Sequence, residues 1–123
     1  MPILDVEIVL QPGESLDPEL AGELADRAGA VFGAAPGTTW AKLRAISAEH
    51  YAENQTGRPA DVYPVFVSVL KAKLAPLNER QREVTQLTEA VARVCRRPPE
   101  KVHILYLLEG AGRMAFGGTL VPD

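Results

Sequence analysis

The sequence predicts an α+β domain made of two βαβ units related by a pseudo-two-fold, forming one four-stranded sheet with two helices on one face. Three observations predict it. Sliding the sequence 62 residues against itself, half its length of 123, sets Pro2 on Pro64, Ile3 on Val65, Leu4 on Phe66, Ile8 on Leu70, Pro36 on Pro98, Trp40 on Val102 and Leu43 on Leu105. Each half reads strand, helix, strand by the period of its apolar residues. The chain is 46% hydrophobic and has the length of a single domain, enough for one core and not for two. Residues 1–123 are therefore expected to form one domain, with repeat units at about 2–52 and 63–121.

The first strand follows from the alternation of Leu4, Val6, Ile8 and Leu10 with Ile3, Asp5, Glu7 and Val9, which gives it one fully apolar face. Pro12 and Gly13 end it in a turn. Asp17 is the expected N-cap of a helix with Pro18 at its first position, where a missing N–H costs nothing. Leu20, Leu24, Ala28, Val31 and Phe32 recur at helical spacing until Gly33 stops the helix. Trp40 to Ile46 is the second strand, and the polar stretch Glu53 to Asp61 links the halves. The second unit is expected as a strand at Tyr63 to Lys71, a helix opening near Asn78 with Asn78–Gln81 as a capping box, and a last strand at Lys101 to Leu108. Val84, Leu87, Val91 and Val94 form that helix's apolar stripe, and Pro98–Pro99 prevent its continuation. Strands Val65–Leu70 and Val102–Leu108 are apolar at nearly every position, so both sheet faces are expected to be covered there. Two helices cover only one face. The other is expected to meet further copies of the chain.

Composition narrows the function. Thirteen basic against 16 acidic residues leave a net charge of −3, the wrong sign for nucleic acid or an anionic membrane. A single cysteine allows no internal disulfide, and with two histidines it makes no four-ligand zinc site, so no metal or other cofactor is expected. No apolar run approaches the ~18 residues of a membrane helix. Asp5 and Glu7 stand where a signal peptide would be basic and then apolar, so a cytoplasmic location is expected.

Proline directly after Met1 is the residue type that favours methionine removal, which would leave Pro2 as a free secondary amine. At the start of an apolar strand its charged form would be disfavoured by desolvation, making it a general base near neutral pH. Pro2 equally suits the start of an edge strand, where a missing N–H is tolerated. Cys95 has Arg96 and Arg97 beside it but ends a helix, which raises a thiol's pKa, so it reads as unreactive. Gly110, Gly112, Gly117 and Gly118 precede no helix and form no phosphate loop.

The Met1-Pro2-Ile3 start, the two βαβ units 62 residues apart and the C-terminal run Arg113–Val121 (RMAFGGTLV) together resemble the tautomerase superfamily, whose members include 4-oxalocrotonate tautomerase and macrophage migration inhibitory factor. The resemblance implies a fused two-unit member: a homotrimer, cofactor-independent, with Pro2 as the catalytic amine and a small carbonyl acid as substrate. It also implies basic side chains near the end of the third strand that hold a substrate carboxylate. Lys71 and Lys73 stand there, two apart, on the same side of an extended backbone, and solvated charges closing a strand are the plain alternative. The resemblance sets His103 where a carbonyl-polarising group stands, with Tyr106 further along the same strand and Arg44 as an additional cation from the second. Thr39 falls where the superfamily's decarboxylase carries an aspartate. The expected reaction is keto–enol interconversion of a 2-oxo acid. The alternatives are hydration, dehalogenation or decarboxylation on the same scaffold, or a non-enzymatic small-ligand module on a ferredoxin-like sheet, which has the same element order.

Overall fold

The computed structural model describes residues 1–123. Its elements are β1 (Ile3–Val9), α1 (Leu20–Phe32), β2 (Trp40–Ile46), β3 (Val65–Leu70), α2 (Leu77–Cys95), β4 (Val102–Tyr106) and a small hairpin of β5 (Ala115–Phe116) and β6 (Thr119–Leu120). The main sheet has the order β2-β1-β3-β4. β1 runs parallel to β2 and β3 parallel to β4, while β1 and β3 pair antiparallel at the centre, Ile3 opposite Leu70 and Ile8 opposite Val65. Two parallel pairs joined back to back are two βαβ units about a pseudo-two-fold. Parallel pairing within each half overturns the ferredoxin-like alternative.

Strand alternation builds the core. Leu4, Val6 and Ile8 of β1 and Val65, Val67 and Val69 of β3 are buried beneath the helices, against Leu24 and Ala28 of α1 and Leu87, Val91, Ala92 and Cys95 of α2. Both helices therefore lie on one face. The 62-residue step holds at both strand pairs, Ile3 to Val65 and Trp40 to Val102, and slips by one residue at the helix ends, Phe32 and Cys95.

Several boundaries differ from expectation. Asp17 Oδ1 accepts the Glu19 N–H at 2.9 Å, but it caps a turn that leads into α1, and the helix begins at Leu20. α2 begins at Leu77 directly after Pro76, which puts Asn78 inside its first turn. Gln81 donates instead to the Thr85 hydroxyl, and no capping box forms. β3 starts at Val65 because Pro64 has no N–H and the Tyr63 N–H goes to Gln11 Oε1 at 2.6 Å.

The second face is uncovered in the single chain, as expected of a sheet with both helices on one side. It is divided in two. On the β1–β2 side Asp5 pairs with Lys42 at 3.2 Å and Arg44 at 3.6 Å, and Glu7 with Arg44 at 3.5 Å. The β3–β4 side carries Phe66, Leu70 and Leu105, the last 62% exposed, and Leu107 and Leu108 continue the exposed apolar strip past β4.

Candidate active site at the start of the first strand

The β1–β3 pairing sets one end of the molecule. Ile3 faces Leu70, so the next step of the antiparallel ladder brings Pro2 opposite Lys71, and strand parity assigns both to the helix side with Leu4. The Pro2 carbonyl accepts the Trp40 N–H at 3.0 Å, tying the chain start to β2. At this end also lie the last residue of α1, the first two turns of α2 and the end of β4, because each helix runs counter to the strand before it.

Lys71 is half-buried there. Its ammonium donates to Glu83 Oε2 at 3.0 Å and sits 4.9 Å from the centre of the Phe32 ring, a cation–π contact. The Tyr106 hydroxyl donates to the other Glu83 oxygen at 2.7 Å. Burial, and then the hydrogen bond to the Glu83 carboxylate, pushes the Tyr106 phenol well above its ordinary range, so it stays protonated. The chain after β4 braces the backbone beneath this group: Gly110 N–H donates to the Lys71 carbonyl at 2.8 Å and Ala111 N–H to the Ala72 carbonyl at 3.2 Å. Gly110 packs against Met114 so closely that a side chain there would collide with it.

Pro2, Lys71 and Tyr106 thus share one end and one face. The other expected site residues do not join them in this chain. β3 ends at Leu70 and the backbone bends at Ala72–Lys73, which breaks the alternation that would align the two lysines, and Lys73 is exposed. Arg44 lies on the uncovered face and is paired with Asp5 and Glu7. His103 lies on that face too, exposed beside Phe66 with ring centres 5.6 Å apart, near the far end of β4. Trp40, at the start of β2, is 41% exposed and meets Phe116 edge-on at 5.2 Å. No three His, Cys, Asp or Glu side chains gather as a metal cluster, and no helix is long and apolar enough to cross a membrane.

Glu83 was not among the expected residues. Its signal lay in the sequence: Glu83, Leu87 and Val91 stand at i, i+4 and i+8, an acid on a stripe whose next two positions are buried.

The opposite end, the pseudo-symmetric counterpart, holds a buried arginine beside its proline, with a cavity of about 430 Å³ between Leu16, Leu20 and Val94 next to it. Pro64, the counterpart of Pro2, is buried beside Arg97, which is only 6% exposed. The Arg97 guanidinium donates to the carbonyls of Val9, Tyr63 and Cys95 and forks onto both oxygens of Glu14 at 2.7 and 3.1 Å. Cys95 is buried next to it, and burial pushes its thiol up to about 11, in accord with the unreactive reading.

No protein-family model matches the sequence, and no curated protein does. Solved structures do match. The native fused 4-OT structure superposes with a TM-score of 0.76 at 16% identity, covering 97% of this chain and 95% of that one. An FG41 malonate semialdehyde decarboxylase inhibited by 3-bromopropiolate gives 0.69 at 15%, covering 94% and 88%. Macrophage migration inhibitory factor from Oncomelania hupensis gives 0.72 at 15%, covering 98% and 83%. Other fused 4-OT structures are symmetric and asymmetric trimers, and one further neighbour was inactivated by 2-oxo-3-pentynoate. At these identities the likeness is one of fold, and it extends over essentially the whole chain.

Proposed function

We infer that this chain, which has the fold of the fused two-unit tautomerases, is a cofactor-independent tautomerase of small 2-oxo acids, with Pro2 as general base after removal of Met1. The observation that carries the reading is the β1–β3 register, which in this fold sets Pro2 opposite Lys71, an ammonium with N–H donors left over from its ion pair with Glu83. A secondary amine there has an apolar strand behind it and an ammonium across the ladder. The apolar strand penalises its protonated form, so a neutral amine is available to take a proton.

In the forward step the Pro2 nitrogen takes a proton from the carbon next to the substrate carbonyl, and the electron pair moves into the enolate. Lys71 has three N–H donors and spends one on Glu83, leaving two for the substrate's carboxylate and developing oxyanion. Return of the proton from Pro2 to oxygen gives the enol. Tyr106 orders this end through its bond to Glu83, and Phe32 holds Lys71 from the apolar side. His103, Arg44 and Lys73 have no part in this reading within one subunit.

Self-association belongs to the reading as well. The trimeric fused 4-OT neighbours and the exposed strip of Leu105, Leu107 and Leu108 support a homotrimer that covers the open sheet face. A cytoplasmic location is proposed with it. The decarboxylase among the neighbours favours one second reading, in which protonated Pro2 acts as an acid in hydration, dehalogenation or decarboxylation.

The pH profile separates the two. For the base, kcat/KM for enolising phenylpyruvate rises with pH through the Pro2 pKa and then levels. A rate that falls over the same range favours the acid. Pro2→Ala, which leaves a primary amine, weakens the activity, and a chain that retains Met1 has an amide at Pro2 and no activity. Full activity in a chain shown by mass to retain Met1 refutes the reading.

A further inference from the structure

A cavity of about 630 Å³ lies between the segment that leads into α2 and the chain that follows β4. Its apolar wall is made by Leu74, Leu107 and Leu108, and Leu108 is 71% exposed. Its cations are Arg80 and Arg113. The Arg80 guanidinium donates through Nε and Nη2 to the Ala75 carbonyl at 3.1 and 2.8 Å, a neutral acceptor that leaves its positive charge uncompensated and its Nη1 donors free. Arg113 is exposed and belongs to none of the chain's ion pairs. Glu109 is the one acid of the lining, and one of its oxygens accepts the Leu74 N–H at 2.7 Å. Tyr106 also lines the cavity, and Glu83, which accepts the Tyr106 hydroxyl, is balanced by Lys71. Two guanidiniums against one carboxylate therefore leave the cavity with one positive charge beside an apolar wall.

We propose that this cavity is a binding site for an amphipathic monoanion, a medium-chain carboxylate whose head is held by Arg80 and Arg113 and whose chain lies on Leu74, Leu107 and Leu108. Charge and surface select the class together. A guanidinium gains most from a carboxylate, which meets its fork with charge-assisted hydrogen bonds. Exposed leucines gain from any apolar body that removes them from water. One negative charge matches the cavity's balance, whereas a dianion brings a charge that finds no cation and lies in the field of Glu109. Leu107 and Leu108 also continue the strip assigned to self-association, so a neighbouring copy is the rival occupant. The site uses neither Pro2 nor the free donors of Lys71, and the assignment of Pro2 as base stands or falls without it.

The test is titration calorimetry on the full chain with three probes: octanoate, acetate, which has the head without the body, and octylammonium, which has the body with the opposite charge. Octanoate is expected to bind saturably, one per chain, and about tenfold or more tighter than either of the others. Arg80→Gln and Arg113→Gln should each weaken octanoate by about threefold or more, and the two together by about tenfold or more. If Arg80→Gln does not fold, Arg113→Gln decides alone, since its side chain has no ion pair to lose. Octanoate binding that is unchanged in Arg113→Gln places the ligand elsewhere and overturns the proposal, as does octylammonium binding as tightly as octanoate. A neighbouring copy that fills the cavity leaves the wild type with no octanoate binding, which overturns it too. None of these results alters the pH profile by which the role of Pro2 is judged.

Discussion

Arg97 makes five hydrogen bonds from one guanidinium, joining the end of β1, the approach to β3, the end of α2 and the β1–α1 loop. Removing one member of a buried, hydrogen-bonded ion pair leaves the other uncompensated. Arg97→Met should therefore cost about 3–5 kcal/mol in urea unfolding at neutral pH. The pair also sets a pH dependence. The hydrogen bond to Arg97 holds the Glu14 carboxyl below its ordinary range in the folded state, so its stabilisation is complete above the unfolded value of about 4.3 and is lost as pH falls through the lowered folded value. The stability gap between wild type and Glu14→Gln should be present at pH 7 and shrink as the pH drops below about 4.3. A gap unchanged down to pH 2 contradicts the assignment. Residues of this kind were the least legible. Arg97 stood in the sequence only as a basic neighbour of Cys95, because its partners Val9 and Glu14 are more than 80 positions away and periodicity carries no such pairing. His103 and Tyr106 could have been separated: three apart on one strand, they point to opposite faces.

At the scale of elements the four strands of the main sheet were read to within two residues at each end, because apolar alternation is fixed by the pleat. The helix starts were not. Asp17 and Asn78 are good capping types, but Pro76 lets α2 begin one residue before Asn78, and Asp17 spends its carboxylate on a preceding turn. The C-terminal run, legible only as a short motif, is a two-residue hairpin whose turn places Gly117 at φ 58° and Gly118 at φ 87°. Nothing lies within 4 Å of a Cβ added at Gly118, so Gly118→Ala tests the backbone alone. It should lower stability by roughly 1 kcal/mol, whereas Gly22→Ala, in the open on α1 at ordinary helical φ, should raise it by about 0.5–1 kcal/mol. Equal unfolding midpoints for the two variants would contradict the turn.

For the whole molecule, the repeat was legible and so was its consequence, a sheet with helices on one side only. What the apolar runs of β3 and β4 did not disclose is that the open face is half charged: Asp5, Glu7, Lys42 and Arg44 lie on the β1–β2 side. An assembly that covers this face has to bury the β3–β4 strip and leave those ions solvated or paired across the interface. Light scattering at low micromolar concentration should give three times the mass of the 13.3 kDa chain, and Leu105→Lys, which sets a charge on the strip, should shift it toward the monomer. A wild-type monomer under those conditions removes the trimer.

If the Pro2 nitrogen is a nucleophilic, unprotonated amine in a site for 2-oxo acids, it can be trapped covalently. A conjugated ynone acid such as 2-oxo-3-pentynoate accepts an amine across its triple bond: one N–C bond forms, the amine proton moves to carbon, and no group leaves. Intact mass spectrometry of the chain lacking Met1 should show a single adduct with the full mass of the acid, peptide mapping should place it on the peptide beginning with Pro2, and the chain that retains Met1 should stay unlabelled. Absence of the adduct, or its location on Lys71 or Cys95 with Pro2 free, would contradict the account.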